Sequence, residues 1–375
     1  MRSVLLVVND PDFFLSHRLP IAQGAREAGY SVHIATKSGE SVTDIINLGF
    51  KHYELPLTRS GENPFSELNA LISIWRLCWR LRPDVLHLVT IKPVLYGGIA
   101  ARVAPVKSVV AAISGLGFIF MASGPKASIF RGLVSRLYRL ALGKRNVRVV
   151  FQNPDDRDAL IKLGAISYER STLIRGSGVD LSLCQPYPER PGPPVVTLAA
   201  RLLRDKGVVE FVDAARLLQQ RGVKVRFQLV GDIDLGNPTS ISDEELKQWH
   251  SEGVVECLGY RKDIAQVFAE SHVIVLPSYR EGLPKVLVEA AACGRAVVTT
   301  DVPGCRDAIE ANVTGLLVPV RDCKALADAI QKLVEDSELR QRLGRAGREL
   351  AEREFAIESI VQQHLEIYRT LERAV

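Results

Sequence analysis

The chain is as informative for what it omits as for what it contains. Its six cysteines, at positions 78, 184, 257, 293, 305 and 323, form no C-x-x-C pair. That removes the zinc-ribbon and thioredoxin-like readings and leaves buried thiols of a reducing compartment. No apolar run is long enough for a spanning helix, which needs about 20 residues. The longest uncharged stretch, Ser108 to Pro125, carries three glycines, three serines and a closing proline, and reads as a buried strand plus a glycine loop. The opening MRSVLLVVND meets Asn9, Asp10 and Asp12 too early for a signal peptide and reads as a first strand. No G-x-G-x-x-G occurs, since GLGFIF and GSGVDL each lack the third glycine, which argues against a dinucleotide dehydrogenase. No short repeat and no nucleic-acid module with interleaved aromatic and basic residues is visible, so no nucleic-acid partner is expected.

What is present is enough for two cores. A length of 375 residues with 47% apolar and 24% charged side chains exceeds one ordinary domain. β-branched apolar runs alternate with helical patterns: SVLLVV (3–8), SVHIAT (31–36), VLHLV (85–89), SVVAAIS (108–114) and VRVVFQN (147–153), with helices near 17–29, 66–82 and 127–143. The alternation stops near Asp180, where LCQPYPERPGPP packs five of the 19 prolines into one short stretch. That segment reads as an interdomain linker. It restarts with VVTLAAR (195–201), VRFQLVG (225–231), VVECLG (254–259), HVIVLPS (272–278) and AVVTTDV (296–302). The expectation is α/β: two Rossmann-like, doubly wound domains of parallel strands, 1–180 and 181–355, facing a cleft. A charged helix within 356–375 is expected to pack back on the first domain. Residues 1–180 carry 23 Lys and Arg against 14 Asp and Glu, so the first half suits an anionic surface.

Two segments carry candidate chemistry. ARLLRDKG (200–207) sets Arg201 and Lys206 at a strand end before a helix, a place where two cations can neutralise a diphosphate; a solvated basic turn is the plainer alternative. EGLPKVLVEA (281–290) places Glu281 in a loop after a buried strand and Glu289 in the helix that follows. Two carboxylates at that separation can each accept hydrogen bonds from a diol at opposite ends of a diphosphate; the alternative is a loop acid at a helix N-terminus and a helix-surface acid. Asp232 and Asp234, like Asp10 and Asp12, have the D-x-D spacing of a metal-diphosphate site. Because cations already answer the diphosphate charge, no metal and no cofactor is expected. Lys126 to Arg148 holds seven basic residues and no acid, with Ile129, Leu133, Leu137 and Leu140 at helical spacing. It reads either as a helix lying on anionic lipid or as a domain-surface helix. Trp75 and Trp79 in ISIWRLCWRLRP fit a core stripe as well as a membrane belt.

Together, Arg201 with Lys206, Gly231, the pair Glu281/Glu289 and the stretch AACGRAVVTTDVPGCRD resemble the retaining glycosyltransferases of family 4, which have the GT-B fold. NDPDFFLSHRLPIA, ISGLGFIF and NPTSISDEELKQWHSEGVVECLGYRKDI are similar to the bacterial branch that builds lipid-linked glycans, in the manner of the transferase adding GalNAc to undecaprenyl-diphospho-bacillosamine. The resemblance implies that Arg201 and Lys206 bind the donor diphosphate and Glu289 the ribose. It places Glu281 on the donor sugar, Gly231, Gly282, Leu283 and Pro284 near the phosphates and sugar, and Tyr260–Arg261 beside the base. The donor would be a UDP-sugar, most plausibly UDP-N-acetylhexosamine or UDP-glucose, and the acceptor a polyprenyl-diphosphate-linked glycan. The site would lie on the cytoplasmic face of a bacterial inner membrane.

The sequence departs from that family twice. The loop after the first strand, NDPDFFLSHR, lacks the glycine pair, and the matching position for the family's histidine is ISGLG, with Gly115 and Gly117 and no histidine. His17, after Ser16 at an expected helix start, and His87, inside VLHLV, are substitutes by location only; His87 reads first as a core histidine. Two competing functions are a UDP-sugar 2-epimerase on the same fold and a non-catalytic two-lobed sugar-binding protein.

Overall fold

The computed structural model describes residues 2–58, 63–116, 125–234 and 236–374; within 125–133 the side chains of 125–131 and 133 are outside the description. The chain forms two compact units, Met1–Ser177 with Ile357–Val375, and Gly178–Ala356.

The first unit is built on seven parallel strands: β1 (Ser3–Val8), β2 (Ser31–Thr36), β3 (Lys51–Glu54), β4 (Val85–Val89), β5 (Ser108–Ile113), β6 (Val147–Phe151) and β7 (Ser171–Leu173), in the order β3-β2-β1-β4-β5-β6-β7. β4 and β5 are buried along their whole length, as strands covered on both faces must be. One face carries the helices Pro64–Leu81, Ile91–Ala100 and Pro125–Ala141. On the other face lie Leu19–Glu27 and the C-terminal helix Ile357–Arg373, whose Ile360, Leu365, Ile367, Tyr368 and Leu371 join the core around Val4 and Leu6.

The second unit has six parallel strands: β8 (Val195–Ala199), β9 (Arg226–Val230), β10 (Glu256–Cys257), β11 (Val273–Leu276), β12 (Ala296–Thr300) and β13 (Gly315–Val318), in the order β10-β9-β8-β11-β12-β13. Both sheets are doubly wound.

Several expectations need correction. The helix expected near 17–29 is two helices, Pro11–His17 and Leu19–Glu27, each with proline at its start, where a missing N–H costs nothing. VVECLG is strand only at Glu256–Cys257. The proline-rich segment is no free linker but lies inside the second unit. Buried Arg295 donates to the carbonyls of Tyr187, Phe268 and Ala269 at 2.8–2.9 Å. Arg340 clasps Glu189 at 2.7–2.8 Å, and His272 Nε2 meets the Arg190 carbonyl at 3.0 Å. Side-chain donors from the domain body satisfy a backbone that prolines keep out of regular ladders. All six cysteines are free.

Candidate active site

The site residues of the second unit stand at the C-terminal ends of its strands, the usual ligand edge of an open parallel sheet. β8 is wholly buried and ends at Ala199. The chain then passes Arg201 and makes a short turn, Arg204–Lys206, before the helix Val208–Gln220. Gly207 makes that turn possible. Its φ is +71°, and a Cβ there would stand 2.2 Å from the Pro277 carbonyl oxygen. The loop after β8 is thus pressed onto the loop after β11, and the Tyr279 N–H donates to the Asp205 carbonyl at 2.9 Å.

That contact brings Lys206 to Glu281. Lys206 Nζ pairs with Glu281 Oε1, and Ser278 Oγ donates to the same oxygen at 2.8 Å. The two side chains are 21% and 12% exposed, so the pair is poorly hydrated yet reachable. Glu281 is held from its other side too. Its N–H donates to the Pro303 carbonyl at 3.1 Å, and Gly304, at φ +82°, packs so close that a Cβ would lie 2.4 Å from the Glu281 carbonyl oxygen. Gly282 and Leu283 are buried in the turn. Pro284 is the extended residue that precedes the helix Lys285–Ala292 rather than a member of its first turn.

A second cluster forms at β8, β9 and β10. Arg201 Nη1 pairs with Asp234 at 2.8 Å. Gly231 sits at φ +138°, and a Cβ there would fall 1.8 Å from the Ala200 carbonyl oxygen, so only glycine fits. Asp232 accepts from the Tyr260 N–H at 3.1 Å, leaving the Tyr260 ring 66% exposed. Arg261 forks onto Asp263, with Nε at 2.7 Å, and draws that carboxyl down to about 2. Asp232 and Asp234 are therefore committed to a backbone N–H and to an arginine. Among the described residues no group of three or more His, Cys, Asp or Glu side chains is placed to hold a metal ion.

Glu289 lies apart from the Lys206 pair. It faces Lys285 one turn earlier at 3.2 Å, and its burial raises the carboxyl above the ordinary range. Both line a cavity of about 880 Å3 with Lys262, Ile264, Cys184 and Tyr187, large enough for a nucleoside. Ser278 and Lys285 were not singled out from the sequence, and Asp234 was read there for its D-x-D spacing, not as a partner of Arg201. The i,i+4 spacing of Lys285 to Glu289 was a readable signal; Ser278 lies three residues before Glu281 in the same loop, and only the Arg201–Asp234 contact depends on which strands are neighbours.

The first-unit residues separate. His17 ends its helix rather than starting one, stacks on Phe13 at 4.2 Å and meets Ser16 Oγ through Nδ1 at 2.7 Å. His87 is fully buried, with Nδ1 2.6 Å from the Tyr368 hydroxyl and its ring stacked on His364. Burial holds it well below the usual imidazole range, so it is a neutral core residue and not an acceptor contact. Gly115 follows β5 at φ +128°. Gly117 lies outside the described residues.

The family model "Glycosyl transferases group 1" matches residues 184–350, and "Glycosyl transferase 4-like" matches residues 3–153. The N,N'-diacetylbacillosaminyl-diphospho-undecaprenol alpha-1,3-N-acetylgalactosaminyltransferase of Campylobacter jejuni is 30% identical, covering 95% of this chain and 97% of its own. The chain belongs to glycosyltransferase family 4. Another relative is the Escherichia coli UDP-Gal:alpha-D-GlcNAc-diphosphoundecaprenol alpha-1,3-galactosyltransferase, 24% identical over 83% of this chain and 81% of its own. The GT-B fold of this glycosyltransferase is shared with a sucrose-phosphate synthase of Thermosynechococcus elongatus, at a TM-score of 0.82, 20% identity and complete coverage of both chains. It is shared also with Anabaena HepE in complex with UDP, at 0.79 and 22%, covering 99% of this chain and all of that one.

Proposed function

We propose that this glycosyltransferase moves a sugar, an N-acetylhexosamine or glucose, from a UDP-sugar to a hydroxyl of a polyprenyl-diphosphate-linked glycan, with retention at the anomeric carbon. The observation that carries the reading is the Lys206–Glu281 pair at the strand ends, with Ser278 behind it and Arg201 on the neighbouring loop. The names of the two lipid-diphosphate relatives support the acceptor class.

In this mechanism Lys206 and Arg201 receive the negative charge that grows on the departing UDP, the charge development that preorganised cations stabilise most. Glu281 keeps Lys206 in place and offers its remaining lone pairs to hydroxyls of the donor sugar. Glu289, in its cavity, takes the ribose hydroxyls, while Tyr260 and Arg261 flank the base. Gly231 and the Gly282–Pro284 turn let backbone approach the phosphates. The acceptor oxygen bonds to the anomeric carbon as the carbon–phosphate-oxygen bond breaks, and the acceptor proton passes to the released phosphate oxygen. The commitment of Asp232 and Asp234 to other partners supports a metal-independent reaction.

Among the described residues no helix is long and apolar enough to cross a membrane. Peripheral attachment to the inner face of a bacterial inner membrane, through the basic segment 126–148, is the matching proposal. Exposed Leu140 beside exposed Arg136 and Arg139 supports it.

UDP release from a panel of UDP-sugars, with and without membrane lipid extract and with EDTA in parallel, tests the reading. Release from one donor that depends on lipid and ignores EDTA is expected. Absence of release from every donor, together with no UDP-induced thermal shift, would remove the nucleotide assignment.

A further inference from the structure

Arg18 is a buried cation of the first unit with a donor that is unpartnered among the described residues. It lies between the helices Pro11–His17 and Leu19–Glu27 and is 2% exposed. Its Nη1 donates to the His17 carbonyl at 3.1 Å and Nη2 to Ser114 Oγ at 3.2 Å. Among the described residues its Nε has no partner and no carboxylate pairs with it. Burial lowers it only to about 10, so it stays charged at neutral pH. A buried cation without an anion is costly, and such groups are normally paired.

The strand ends beside Ser114 carry further unfinished polar groups. β1, β4 and β5 end side by side, with Val8 opposite Val89 and Val89 opposite Ala112. The residues that follow, Asn9, Thr90 and Ser114, therefore share one edge. Asn9 Oδ1 and Thr90 Oγ1 are both buried, and among the described residues neither has a partner. Thr90 is held at φ +73°, ψ +167°, a backbone state that a β-branched residue adopts only under constraint. It leads directly into the ten-residue helix Ile91–Ala100, whose start has no side-chain cap. The first N–H groups of a helix point outward and favour an anion.

We propose that this edge is an oxyanion site for a diphosphate. One phosphate oxygen accepts from the first turn of Ile91–Ala100 and from Thr90 Oγ1. Arg18, through Ser114 and its own free Nε, supplies the counter-charge. The Asn9 amide, turned about its last bond, presents its NH2 to the same group. That the diphosphate is the acceptor's rests on the proposed function; that the edge binds diphosphate does not.

The test uses the full chain. Thermal shift and calorimetric titration with sodium pyrophosphate are run with saturating UDP present, on wild type, Arg18→Met, Arg18→Lys and Thr90→Gly. Wild type should bind pyrophosphate, Arg18→Met should bind it at least about tenfold more weakly, and Arg18→Lys should recover part of the loss. Thr90→Gly relieves the backbone constraint, so it should unfold at a higher temperature while binding pyrophosphate several-fold more weakly.

Parallel titration with UDP alone, and the apparent KM for a polyprenyl-diphosphate-linked acceptor, separate the sources. A KM rise in Arg18→Met with unchanged UDP binding assigns the acceptor diphosphate. Weaker UDP binding assigns the donor's. A wild-type protein that binds pyrophosphate but transfers no sugar would overturn the proposed function and leave this site standing. A wild type that ignores pyrophosphate, with UDP binding unchanged in Arg18→Met, or a folded Arg18→Met that binds pyrophosphate unchanged, would overturn the site. Should Arg18→Met not fold, an unchanged pyrophosphate affinity in Thr90→Gly would do the same.

Discussion

Three charged side chains of the second unit carry the chemical argument, and each has a separable signature. Lys206 and Glu281 form one poorly hydrated pair, so removing either strands the other. Lys206→Met is expected to cut kcat by about 10²–10³-fold, the usual effect of deleting one group that meets developing charge. Glu281→Gln keeps the shape and should lower kcat more than it raises the donor KM; steady-state kinetics with one UDP-sugar checks both. Glu289 differs because burial raises its carboxyl. An acid raised in the folded state binds more protons there than in the unfolded chain, so stability falls as pH climbs from the unfolded value through the folded one. Glu289→Gln should therefore melt above wild type at pH 7, lose that advantage below about pH 4, and bind UDP more weakly. Melting curves across pH with a UDP titration would show it; equal melting at all pH values would refute the buried-acid account. The two acids were visible in the sequence as a spacing. Their different surroundings were not, because the Lys206 and Gly304 contacts come from loops whose strands pair only in three dimensions.

At the scale of the elements, glycines decide how closely the loops stack. Gly231 and Gly222 both have positive φ, but only Gly231 faces a carbonyl at 1.8 Å. Gly231→Ala should cost about 2–4 kcal/mol and weaken UDP binding, whereas Gly222→Ala, in open space, should cost about 1 kcal/mol; thermal unfolding of the two variants checks the contrast. The long buried strands were legible from their β-branched runs. β3 was not, since KHYE at a sheet edge is polar, and neither was the helix Ile91–Ala100. Its Pro93, Gly97 and Gly98 hide the helical period, yet the glycines let it press on Leu88 and on the Ala141 carbonyl. The C-terminal helix is pinned to the first sheet by the His87–Tyr368 hydrogen bond. Tyr368→Phe leaves a buried imidazole nitrogen unpaired and should destabilise by about 1–3 kcal/mol, with UDP affinity unchanged because the change lies in the other unit.

For the whole molecule, composition and alternation were enough to expect two doubly wound sheets, and the strand orders of both units are of that kind. The proline-rich stretch misled because prolines mark irregular backbone, not a boundary; arginines of the second unit hold it in place. His87 is the core histidine that its place inside VLHLV suggested, bonded to Tyr368 of the C-terminal helix, whereas His17, expected at a helix start, ends one. The central claim is transfer from a UDP-sugar to a lipid-linked glycan. The most direct test follows a labelled sugar from its UDP donor in the presence of purified protein and a polyprenyl-diphosphate-linked acceptor, with organic extraction and determination of the product's anomeric configuration. The account predicts label in the organic phase, one UDP released per sugar transferred, retained configuration, and loss of all three in Lys206→Met. Label that stays in water as free sugar or as an altered UDP-sugar would contradict it.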